Sequence, residues 1–152
     1  MNLRDDLKPN EFSKEILEKL TDLASSIDGG NELEANDEVN LFNQLAGTSF
    51  EYIDFQEIYS GCDHSEWVES ILLVANKIVA RPRASKEELI EVIRRFFALD
   101  REENFLLSDA YGEIFNLNVP MSNAQSLLQN SKGLTPEEIV DIALRTDGVI
   151  RL

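Results

Sequence analysis

One stretch of the chain sets reactive side chains close together: Cys62, Asp63, His64 and Glu66, which include the single cysteine and the single histidine of the 152 residues. A thiol beside an imidazole has the parts of a nucleophile and its base, and with two carboxylates they are also the donor types that hold zinc. The spacing argues against both uses. Neighbours on one turn rarely point at each other, and no residue is placed to orient the base. A structural zinc site draws four ligands from two separated pairs, whereas this is one cluster. Asp63 three residues ahead of Glu66 instead reads as a helix N-terminus. No phosphate loop or nucleophile elbow occurs, and Gly29-Gly30 and Gly47 follow helical stretches as stops. Carboxylates are plentiful, but nothing selects a pair with separated pKa values. The expectation is a protein without catalytic residues, metal or cofactor.

The elements around that cluster are helical. The clearest runs from Ala84 to Leu99: Ser85 and Glu88 form a capping box, and Leu89, Ile90, Val92, Ile93, Phe96, Phe97 and Leu99 recur at three- and four-residue steps. Lys86, Glu87, Glu91, Arg94 and Arg95 fill its other face as solvated surface. Upstream, Asn10–Ile27 carries a helical stripe, 31–36 reads as a polar loop, and Val39–Ala46 as a short helix closed by Gly47. Ser49–Ile53 fits a strand as well as a helix, and a helix opened by Asp54 is preferred for the residues after it. The aromatics Phe50, Tyr52, Phe55, Tyr59 and Trp67 read as core and not as a ligand box. A helix beginning at Asp63 carries an apolar face as far as Ile78, and Arg81-Pro82-Arg83 interrupts it as a linker. Downstream come a stripe from Phe105 to Leu117, a short segment over Met121–Ser131, and a capping box with proline at Thr135-Pro136-Glu137-Glu138. The tail Val149–Leu152 fits an extended piece. These elements make an all-α helical bundle of about seven helices, with an acidic half over residues 1–80 and a four-helix unit over 84–152 packed as one compact domain.

Charge narrows the function. Fourteen basic against 29 acidic side chains give a net of −15 and a pI near 4.3. Residues 1–80 hold 5 basic and 17 acidic side chains, a net of −12; residues 81–152 hold 9 and 12, a net of −3. Such a field repels nucleic-acid backbones and anionic membranes and attracts a basic partner. The lone cysteine, the lack of a basic and apolar leader, and the lack of any long apolar run point to a cytoplasmic protein.

From Ser85 onward the order of features resembles the nuclease-colicin and pyocin immunity proteins, small bacterial inhibitors of a co-produced toxin. The resemblance rests on Ser85-Lys-Glu-Glu-Leu-Ile-Glu-Val-Ile-Arg-Arg-Phe, on Asn118-Val119-Pro120 before a short helix, and on Leu134-Thr-Pro-Glu-Glu-Ile-Val-Asp-Ile-Ala-Leu. Leu41–Leu72 is more loosely similar to longer bacteriocin immunity proteins. The resemblance implies a four-helix fold that binds a basic nuclease-type toxin by protein contact, with no cofactor and no small-molecule substrate. It implies an acidic second-helix face at Glu102, Glu103, Asp109 and Glu113. A short third helix that carries Ser-Asp-Leu-Ile-Tyr-Tyr-Pro in the family aligns here with Gln125–Ser131, where only Leu127 and Leu128 match. The family's toxin-touching aspartate and tyrosines are thus replaced, and Ser126, Gln129 and Asn130 stand on that surface. With those tyrosines absent, Tyr111 on the second of these helices and Tyr52 and Tyr59 in the acidic half are the anchor candidates, and core packing is the reading preferred for all three. A different reading of the same charge is an acidic helical adaptor or nucleic-acid mimic that occupies a DNA-binding protein.

Overall fold

The computed structural model describes residues 1–56, 58 and 63–145. Tyr59, Cys62 and the tail Val149–Leu152 lie outside them. Among the described residues there are seven α-helices, two 3-10 turns and no strand. No helix of these residues is long and apolar enough to cross a membrane.

The chain divides into two compact units, and the division is not a cut into halves. Asn10–Asn76 forms one unit, while Met1–Pro9 joins Lys77–Leu152 in the other. The first is therefore an insertion between an amino-terminal arm and the helices that arm packs with. By this division the inserted unit holds 2 basic and 15 acidic side chains, a net of −13, and the bracketing unit 12 and 14, a net of −2.

The inserted unit contains α1 (Lys14–Gly29), α2 (Glu32–Ala46), a 3-10 turn (Tyr52–Phe55) and α3 (His64–Val74). Ser13 caps α1 by accepting from the Ile16 N–H at 3.1 Å. The stretch expected as a loop over 31–36 is the first turn of α2: Asn31 accepts from the Glu34 N–H at 3.0 Å, and Glu32 and Glu34 lie where the helix dipole favours negative charge. Gly47 ends α2 at φ 72°, where a Cβ would run into the Asn76 side chain. Asn43 then fixes the exit: its amide donates to the Phe50 carbonyl at 2.8 Å and accepts from the Phe50 N–H at 2.9 Å. That clamp sets Phe50 into a cluster with Phe42, Phe55 and Trp67, with ring centroids 5.1 to 6.2 Å apart. Each such pair adds about 0.5–1.5 kcal/mol beyond its buried area. Asp54 opens no helix; it sits inside the 3-10 turn and accepts from the Glu51 N–H at 2.8 Å. The third helix stops at Val74, short of the expected Ile78, and Ile78 is exposed. Asn10 closes the unit, its side chain donating to the Leu72 and Ala75 carbonyls at 3.0 and 2.7 Å and its N–H to the Leu73 carbonyl at 2.8 Å. The two ends of the insertion are thereby held side by side.

The bracketing unit contains a 3-10 turn (Asp5–Leu7), α4 (Lys86–Arg101), α5 (Phe105–Leu117), α6 (Ala124–Gln129) and α7 (Pro136–Ala143). Both expected capping boxes form, Ser85 with Glu88 and Thr135 with Glu138. The fourth and fifth helices pack along each other, and small residues set how closely: the Ser108 hydroxyl donates to the Phe96 carbonyl at 3.0 Å, and a Cβ on Gly112 would come within 3.2 Å of the Phe96 ring. The seventh helix crosses α4, with Lys86–Asp141 and Arg94–Glu137 ion pairs along the seam. Leu3 and Leu7 bury in the same core as Val92, Ile93, Phe115 and Ile139. Arg4 secures the arm, donating to Glu88 at 3.0 Å and to the Pro82 carbonyl at 2.8 Å, while Arg95 donates to the Met1 carbonyl at 3.0 Å.

Candidate partner-binding surfaces

The residues suggested by the immunity-protein resemblance separate into three places on the bracketing unit. Glu102 caps the C-terminus of α4 and Glu103 follows at φ 60°, so both carboxylates project from an exposed corner. Asp109 and Glu113 stand one turn apart on the exposed side of α5. Burial first, and then the Asp100 carboxylate, raise the Asp109 pKa above its ordinary value of 3.8. Ser126 is half-buried on α6 while Gln129 and Asn130 are exposed, and the Asn130 side chain folds back to donate to the Ser126 carbonyl at 2.9 Å.

Tyr111 does not belong with them. It is only 8% exposed, its ring lies in the core, and its hydroxyl lies 3.2 Å from the Arg95 guanidinium, within donating distance. Its position three residues before Ile114 puts it on the apolar stripe of α5, so it is a packing residue and not a surface anchor. Tyr52 is half-buried, with its hydroxyl donating to the Gly30 carbonyl at 2.8 Å. It ties the 3-10 turn to the end of α1.

Of the cluster around His64, Asp63, His64 and Glu66 are described, at the start of α3. Asp63 caps α3 by accepting from the Glu66 N–H at 2.8 Å. The His64 ring is buried, and its Nε2 lies 2.8 Å from a carboxylate oxygen of Asp28 on α1. The contact joins α3 to α1. Glu66 points outward, and Asp63, then its own partial desolvation, raise its pKa. Among the described residues no three His, Cys, Asp or Glu side chains group as metal ligands.

A surface that sequence reasoning missed lies on α2. Ala35, Val39, Phe42 and Ala46 face the core of the inserted unit. Leu33, Asp37, Leu41 and Leu45, at four-residue steps, form a second stripe that faces water, with Leu33 93% exposed. Glu34 and Glu38 flank it, and the only basic residues of the unit are Lys14 and Lys19, both on α1. Lys14 pairs with Glu18. The stripe therefore mixes three leucines with the Asp37 carboxylate, and among the described residues no cation pairs with Glu34, Asp37 or Glu38. Asn31 three residues ahead of Glu34, the same spacing as Asp63 and Glu66, is the signal that would have extended the helix over it.

Comparison of the chain with protein-family models, with curated proteins and with solved structures finds no match.

Proposed function

We propose that this chain is an immunity-type inhibitor that acts in the bacterial cytosol, binding a basic nuclease-type toxin one to one through its acidic inserted unit. The observation that carries the reading is the segregation of charge: a net of −13 resides in Asn10–Asn76, on the unit whose α2 presents Leu33, Leu41 and Leu45 to water. Leucines ringed by carboxylates have the composition of an interface with an apolar centre and a charged rim. The field steers a cationic partner into encounter, and desolvation of the leucines then holds it. Glu102, Glu103, Asp109 and Glu113 supply a second acidic patch on the bracketing unit, with Ser126, Gln129 and Asn130 as its polar complement. Because Tyr111 is buried, none of these positions brings the aromatic anchor that the resemblance calls for, which shifts the centre of binding to α2.

The test is capture at low salt from an extract of the source cells, followed by elution with salt and a DNA-cleavage assay. The expected outcome is a basic nuclease whose cleavage stops when the chain is added back in equimolar amount. Recovery of no basic nuclease would sink the proposal.

A further inference from the structure

We propose that the bracketing unit carries a separate binding site, opposite in sign to the acidic surfaces, for a small apolar carboxylate. A cavity of about 610 Å³ opens between α4 and the turn that leads into α7. Arg94, Phe97 and Arg101 reach it from one face of α4, and Lys132, Leu134 and Pro136 close the other side. Its lining thus combines three cations with apolar walls and includes no carboxylate.

That composition is opposed to the chain as a whole, whose net charge is −15. Arg94 is partly satisfied by Glu137 at 2.9 Å. Among the described residues Arg101 and Lys132 make no ion pair, and both are exposed at the mouth. Phe97 is half-buried against the core cluster, so the apolar wall is present before any ligand arrives. The volume falls within the roughly 300–1,000 Å³ of small-molecule sites. An apolar body would lie on Phe97, Leu134 and Pro136, and its carboxylate would meet Arg101, whose guanidinium pairs with carboxylates in bidentate fashion, with Lys132 beside it. The inference is independent of the toxin reading, because the acidic stripe of α2 supplies none of these residues.

Titration calorimetry on the full chain with decanoate, decanol and inorganic phosphate tests it. Decanoate should bind saturably with one-to-one stoichiometry, and decanol and phosphate at least about tenfold more weakly, since each lacks half of what the cavity recognises. The R101Q/K132Q variant, altered only at exposed positions, should lose about tenfold or more in decanoate affinity while its helical circular dichroism is retained. Ala98 also lines the cavity, and A98W should block decanoate by filling it. Equal binding of decanol or phosphate, or decanoate affinity unchanged in both variants, would overturn the site.

Discussion

The two units of this protein are built from the same material and stabilised differently. The bracketing unit combines two capping boxes, a serine and a glycine where α5 meets α4, and aliphatic residues along α4 and α7 with an arm that Arg4 holds to Glu88 and Pro82. The inserted unit carries nearly all the excess charge, and its core combines aliphatic residues such as Leu20, Ile27, Val39 and Val68 with the buried rings of Phe42 and Phe55, on which Phe50 and Trp67 pack, with polar clamps at Asn43 and Asn10. Like charges at this density oppose compaction. The inserted unit must therefore draw on large aromatic side chains and well-placed hydrogen bonds, and what it gains is an acidic face.

The sharpest way to break this contrast is at the aromatic core. F42A removes a fully buried ring that meets Phe50, Phe55 and Trp67, and should cost about 3–5 kcal/mol. Trp67 is the only tryptophan, so its emission reports the inserted unit directly; an unfolding midpoint by Trp emission that does not move would refute the role given to the rings. Next in size is L7A, expected to cost about 2–5 kcal/mol. Leu7 precedes the insertion in sequence but lies fully buried with α4, α5 and α7, so hydrogen exchange should quicken in those helices. Quickening confined to α1–α3 would mean that the arm belongs with the inserted unit.

N10A should cost about 1–3 kcal/mol, because it leaves the Leu72 and Ala75 carbonyls without their donor. Exchange at the end of α3 should rise first, and protection unchanged there would contradict the clamp. The smallest effect concerns pH. The Ser85 N–H, and after it Arg4, lower the Glu88 pKa below its ordinary 4.5. A carboxylate held down in the folded state contributes stability above its unfolded pKa, and that contribution is withdrawn as pH falls through the folded value. E88Q should accordingly flatten the loss of thermal stability below pH 4.5, with Tm measured across the acid range. An unchanged acid limb would show that Glu88 is not a stabilising carboxylate.

The parts legible in the sequence are those decided within four residues. Ser85 with Glu88, Thr135 with Glu138 and Asp63 with Glu66 mark helix starts because cap and acceptor lie on the same turn, and the all-α class follows from such signals and the apolar period. Long-range and two-sided features are not legible in this way. Leu3 and Leu7 are too few to show a period, so the arm reads as part of the acidic half, although its partners lie more than seventy residues away. The start of α2 reads as a loop because its apolar residues serve two faces, and Leu33 belongs to the face without a core. Tyr111 stands out by its residue type, while its place on the stripe of α5 decides its burial. Arg94 reads as solvated surface on its own helix, and only the approach of the turn before α7 gives it a cavity to line.

The central claim, that binding belongs to the acidic inserted unit, is tested most directly by comparing two charge reversals against the captured nuclease. L33K/D37K/L41K changes exposed positions of α2, and E102K/E103K/E113K changes exposed positions of the other unit. The account predicts that the first raises Kd by about a hundredfold or more while the second changes it only several-fold, both with unaltered melting temperatures. A large loss with the second and none with the first would contradict it.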